Sequence, residues 1–145
     1  MSKRIALAAV AAAFMTGSAN AATEIQWWHA MGGALNDKVN EIANKFNASQ
    51  SDYKVVPTNK GNYTETMTAA IAAFRAKKQP HVVQVFEVGT ASMMAAKGAV
   101  YPVHELMADS GEKFDINAYL PAVASYYTTT DGKLLSMPFN SSTPV

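Results

Sequence analysis

The chain has 145 residues, 49% of them apolar, a composition that supports one modest core and excludes a disordered tail. Its 12 basic and 11 acidic residues are nearly balanced, with no basic run longer than Lys77-Lys78, so it carries no field suited to nucleic acid or an anionic membrane. Cysteine is absent, which excludes thiol catalysis, disulfide exchange and zinc sites built on thiolate.

The first segment, "MSKRIALAAVAAAFMTGSANAA", sets Lys3 and Arg4 ahead of an apolar run and closes on Ala19-Asn20-Ala21. That is the layout of a secretory signal peptide over residues 1–21, cut after Ala21. The uncharged stretch from Ile5 to about Ala13 falls short of the roughly 20 apolar residues a bilayer span needs. Loss of Lys3 and Arg4 takes the net charge from +1 to −1. The mature chain then runs over residues 22–145.

"TEIQWWHA" reads as a strand, and beyond the loop "MGG" the residues Leu35, Val39, Ile42, Ala43 and Phe46 fall on one helical stripe. "DYKVVPT" predicts a second strand. "KGNYTETMTAAIAAFRAKK" predicts a second helix, with Met67, Ile71 and Phe74 at helical spacing and Lys77 and Lys78 at its carboxyl end. "HVVQVFEV" is almost continuously apolar, as in a strand covered on both faces, and "TASMMAAKGA" predicts the helix after it, where Met93 and Met94 are packing residues. Beyond this, a short helix is expected around Asn117 to Tyr126, a turn at Asp131-Gly132 and a last strand near Leu134 to Pro138. The β-α-β-α-β-α order implies an α/β fold on an open, mostly parallel sheet.

In such sheets the ligand crevice lies beyond the carboxyl ends of the strands. "WHAMGG" and "NKGNY" deliver His29 and Tyr63 to that edge, and Glu87 is expected at the end of the third strand. A carboxylate ahead of a helix is stabilised by the helix dipole with no ligand at all, so pattern alone favours a cap or solvated acid at Glu87 over a ligand acceptor. Tyr63 reads either as an aromatic packed on the sheet or as a phenol facing the crevice. Trp27 and Trp28 point to opposite faces, one into the core and the other towards core, interface or cleft. The tail "PFNSSTPV" offers Asn140, Ser141, Ser142 and Thr143 either as an ordinary polar loop or as a cradle for an anion or sugar hydroxyls. No G-x-S-x-G elbow, P-loop or G-x-G-x-x-G occurs, and His29, His81 and His104 form no H-E-x-x-H spacing, so neither a metal nor another cofactor is expected.

Taken in order, "WWHAMGG", "NKFNAS", "VVPTNKGNY", "IAAFRAKKQPHVVQVFEVGTASMMA" and "LLSMPFNSSTPV" resemble the periplasmic glycerol-3-phosphate-binding proteins of bacterial ATP-driven uptake systems, within the extracellular solute-binding proteins of family 1. The resemblance implies a type II periplasmic-binding-protein-like fold of two α/β lobes, residues 22–145 forming part of the amino-terminal lobe and the second lobe lying beyond the equivalent of Val145. It implies a non-enzymatic monomer that captures sn-glycerol 3-phosphate, or a glycerophosphodiester, and docks on the permease subunits of an ABC transporter. The family's ligand-contacting tyrosine, glutamate and serine match Tyr63, Glu87 and Ser142. The acid faces the glycerol hydroxyls, and the phenol and serine help hold the phosphate. Two alternatives remain: a binding protein for a maltose-like sugar or another polyol, and an exported hydrolase, which needs a second carboxylate or a nucleophile-base pair near Glu87.

Overall fold

The computed structural model describes residues 21–96 and 98–140, so the leader expected over residues 1–21 lies, up to residue 20, outside the described residues. Three strands form one parallel sheet in the order β2-β1-β3, with β1 over Thr23–His29, β2 over Tyr53–Asn59 and β3 over Val82–Val83. β1 pairs with β2 along its whole length, Thr23 opposite Tyr53 through His29 opposite Asn59. Parallel neighbours need a crossover between them, and α1 (Ala34–Ser49) and α2 (Tyr63–Arg75) supply it. α3 (Glu87–Met94), α4 (Val103–Ser110), a 3-10 turn at Ile116–Ala118 and α5 (Pro121–Tyr126) follow. The α/β class and the order of the first six elements agree with the sequence pattern.

α1 buries Val39 and Ala43 of its apolar stripe, while Leu35, Ile42 and Phe46 on the flank of that stripe stay exposed. Its last turn is pinned to β2 by Asn47, whose amide accepts from Val55 N–H at 2.7 Å and donates to Val55 carbonyl at 2.8 Å. One side chain thereby satisfies both main-chain groups of a strand residue that has no sheet neighbour on that side among the described residues. α2 opens with a capping box: Asn62 Oδ1 accepts from Glu65 N–H at 3.0 Å, and Glu65 Oε2 accepts from Asn62 N–H at 2.8 Å. Gly61 stands at φ +92°, and a Cβ there would lie 2.0 Å from the Glu65 carboxylate that closes the box.

Three expectations fail. The third strand was expected over 81–88, covered on both faces, with Glu87 at its end. Instead β3 is two residues long, Val82 is 48% exposed, and Glu87 is the first residue of α3. Its pairing partner explains the shortening: Gln84 N–H reaches Trp28 carbonyl at 2.8 Å, and β1 then ends at His29. The helix expected around Asn117 to Tyr126 is split, because Pro121 forces the preceding Leu120 into extended backbone (φ −59°, ψ 133°). The strand expected near Leu134 to Pro138 is reduced to one antiparallel bridge, Thr128 to Leu134. Its carbonyls serve α4 instead, Leu135 accepting from Val103 N–H and Leu134 from His104 N–H.

His29, at the carboxyl end of β1, is fully buried, as is Thr66. The His29 carbonyl accepts from Lys60 N–H at 2.9 Å and from the Thr66 hydroxyl at 3.4 Å, and its Nδ1 accepts from Met31 N–H at 3.2 Å. That last bond requires the neutral ring with its proton on Nε2, and Nε2 has no partner among the described residues. Burial accordingly pushes the His29 pKa below the usual imidazole value.

Two outcomes follow for stability. Asn62→Ala should cost about 1 kcal/mol by urea unfolding, and Gly61→Ala about 1–3 kcal/mol, because it adds left-handed backbone strain and displaces the Glu65 carboxylate. For His29 the unfolded chain takes up the proton more readily than the native one. Its contribution is therefore complete above about pH 6.5 and is lost as pH falls from there towards the lower folded-state value. The urea midpoint should drop between about pH 7.5 and 5.5, and His29→Gln should flatten that slope.

Candidate functional site

The carboxyl edge of the sheet gathers several of the residues that the sequence singled out, by routes the sequence did not reveal. The capping box fixes the first turn of α2, and Tyr63 is the first residue of that helix. Its ring stacks on Phe86, centroids 5.6 Å apart and planes 19° from parallel. Phe86 is the N-cap of α3, so the half-buried Glu87 begins that helix directly beside the stacked pair. Gly89 allows the close approach: a Cβ there would come within 2.7 Å of Met67 Sδ on α2. Glu87 stands in the first turn of α3, where the helix dipole favours a carboxylate, and its main-chain carbonyl accepts from the Tyr126 hydroxyl at 2.7 Å.

Asn140 joins the same edge from the far end of the described chain. Its Nδ2 donates to the Tyr63 hydroxyl at 3.4 Å, and its Oδ1 accepts from Gln84 Nε2 at 2.8 Å. Gln84 is a buried polar residue, 7% exposed, whose Oε1 accepts from Ala30 N–H at 2.9 Å. Tyr63, Glu87 and Asn140 are thus brought together. Ser142, expected beside them, lies outside the described residues, as do Ser141 and Thr143.

Gln84 was passed over in the sequence because it sits inside the apolar run "VVQVF", where one amide looks incidental. The available signal was that same run, since a polar side chain amid buried neighbours needs hydrogen-bond partners. His29 reaches the predicted edge but turns inward, contributing its backbone carbonyl rather than its ring to the surroundings. Trp27 packs edge-to-face on Phe139, centroids 5.5 Å apart, and Trp28 lies beneath Lys60 Nζ at 4.0 Å from the ring centre. Both indoles remain partly exposed.

The surroundings suit a polyol or an anion held at a rim. The Tyr63 hydroxyl and the Asn140 amide stand beside the stacked rings, Glu87 opens the helix that follows Phe86, and Lys60 is close to the same edge through Trp28. Two shallow depressions, one along the polar face of α1 and one between Phe74, Met94 and Tyr101, are lined by neither Tyr63 nor Glu87. Among the described residues no group of three or more His, Asp or Glu side chains is arranged to hold a metal ion, and no helix is long and apolar enough to cross a membrane.

A family model described as bacterial extracellular solute-binding protein matches residues 41–145. The sn-glycerol-3-phosphate-binding periplasmic protein UgpB of Agrobacterium fabrum is 49% identical over 145 residues, covering 100% of this chain and 33% of the relative. Its namesake in Pectobacterium atrosepticum is 51% identical over 143 residues, covering 98% of this chain and 32% of the relative. That of Yersinia pestis is 54% identical over 134 residues, covering 90% and 30%. The chain therefore spans about a third of the length of these relatives. In fold it is similar to the cyclic alpha-maltosyl-1,6-maltose binding protein of Arthrobacter globiformis, with a TM-score of 0.63 at 23% identity, covering 77% of this chain and 27% of that one. The family match covers more than half of the sequence and the fold agrees with it: the chain belongs to the bacterial extracellular solute-binding protein family.

Proposed function

We propose that this chain is the amino-terminal, ligand-facing portion of the periplasmic binding component of an ABC uptake transporter for sn-glycerol 3-phosphate. One observation carries the reading: relatives about half identical to this chain along its whole length bear the name of that ligand. The meeting of Tyr63 and Glu87 through the Phe86 stack supports it. In this reading Glu87 accepts protons from the glycerol hydroxyls at one end of the ligand, since an ionised acid accepts hydrogen bonds and repels phosphate. Tyr63 and Ser142 donate to the phosphate at the other end. The opposite wall of the cleft comes from a second lobe, in keeping with relatives about three times as long as these 145 residues. The leader with Lys3 and Arg4 sends the protein to the periplasm, where it captures its ligand without turnover as a monomer and delivers it to a membrane permease.

Residues 22–145 alone should bind sn-glycerol 3-phosphate weakly or not at all in isothermal titration, because phosphate relies on charge-assisted donors beyond this half of the cleft. Grafted in place of the matching third of the Agrobacterium fabrum relative, the same residues should restore binding. In that chimera Tyr63→Phe and Glu87→Gln should each weaken affinity by about 10- to 100-fold, the range for one hydrogen bond to a charged group. Binding of maltose in preference to the phosphate ester would move the assignment to a sugar transporter. Phosphate release abolished by Glu87→Ala would make the protein a hydrolase.

A further inference from the structure

We propose that Gln84 is a positioning residue that sets the direction of hydrogen bonding at the Tyr63 phenol, acting through Asn140 so that the phenolic proton points away from the protein. The inference rests on the reading of Tyr63 as a ligand contact; the relay itself stands on geometry alone.

Four groups form the chain: Ala30 N–H, the Gln84 amide, the Asn140 amide and the Tyr63 hydroxyl, linked at 2.9, 2.8 and 3.4 Å. The orientation of an amide side chain is ordinarily ambiguous, because its oxygen and nitrogen have the same shape. Here chemistry removes the ambiguity from one end. A backbone N–H can only donate, so the Gln84 group facing Ala30 must be its oxygen and the group facing Asn140 must be its NH2. Asn140 must then meet Gln84 with its oxygen, which leaves its own NH2 facing Tyr63. The phenol oxygen is left as an acceptor. Among the described residues its O–H donates to no protein group, so its proton is available to an acceptor outside the chain.

The three donor-acceptor pairs run in one sense and reinforce one another. A phenol that already accepts a hydrogen bond is a better donor, and an anionic oxygen is the acceptor such a group favours. Gln84 suits the task because it is buried and tied to the backbone at the end of β1, whereas Asn140 and Tyr63 stand nearer solvent. A reversed relay would turn the phenolic proton inward and leave a lone pair facing the ligand. That arrangement rejects a phosphate.

The test is carbon-13 NMR of the chain with its tyrosines labelled at Cζ, a nucleus that moves downfield as the phenol donates more strongly. The Tyr63 signal is identified by its loss in Tyr63→Phe. Asn140→Asp, at an exposed position, keeps the acceptor for Gln84 but at neutral pH cannot donate to Tyr63. The phenol should turn to donate to the new carboxylate, and its signal should move downfield while the other tyrosines stay in place. Acidification through the carboxylate range, about pH 4, should return it towards the wild-type position, because a protonated carboxyl can again accept from Gln84 and donate to Tyr63. A purely structural role for Asn140 gives no such recovery. Gln84→Met should also shift the Tyr63 signal and speed solvent exchange of the Asn140 side-chain amide. If that variant does not fold, Asn140→Asp alone decides.

A Tyr63 signal that ignores Asn140→Asp at every pH overturns the relay. In the chimera described above, a Tyr63 signal that responds to Asn140→Asp but not to excess sn-glycerol 3-phosphate overturns only the reading of Tyr63 as a ligand contact and supports the relay.

Discussion

Where β1 leaves the sheet its peptide groups lose their regular partners, and each unpaired one would carry a desolvation cost of about 1–3 kcal/mol if buried. Residues that close or follow the neighbouring strands, with Thr66 from the first turn of α2, supply the replacements. Trp28 carbonyl takes Gln84 N–H, His29 carbonyl takes Lys60 N–H and the Thr66 hydroxyl, Ala30 N–H finds the Gln84 side chain, and Met31 carbonyl accepts from Asn59. The start of α2 and the turn into α3 are therefore hung from the same few peptide units. That shared attachment, more than the sheet ladder itself, holds Tyr63 and Glu87 side by side.

Mechanical coupling between the two residues follows from their neighbours. Asn62 and Glu65 lock the first turn of α2, Tyr63 leaves that turn, and its ring lies flat on Phe86, whose peptide leads directly into Glu87. A displacement of either helix start is transmitted through the stack to the other. For a protein proposed to grip a small phosphorylated polyol at both ends, the stack ties the ring that carries the phenol to the backbone that carries the acid.

Much of this was legible in the residues. The strand-like runs "TEIQWWHA" and "DYKVVPT" and the helical stripe between them mark the first three elements by local pattern, even though only Val39 and Ala43 of that stripe are buried and Leu35 and Ile42 stay exposed. "HVVQVFEV" misled because its composition is that of a buried strand, while its length is governed by where β1 stops, a long-range fact that no window of residues contains. α4 was missed although Gly111, in left-handed conformation at φ 72°, is the ordinary stop signal after "VHELMADS". At the site, Tyr63 and Glu87 were legible as residue types at loop positions. The linkage of Tyr63 to Asn140 and Gln84 was not, because Asn140 and Gln84 lie 56 apart in sequence and meet through amide groups with no motif of their own.

Both tryptophans of the sequence stand near the carboxyl end of β1, one beneath the Lys60 ammonium and the other against Phe139, the neighbour of Asn140. Indole emission from these 145 residues therefore arises at the rim where the ligand is proposed to sit. Both indoles of these 145 residues stand at that rim, so ultraviolet excitation selective for indole over phenol interrogates that edge without a dye.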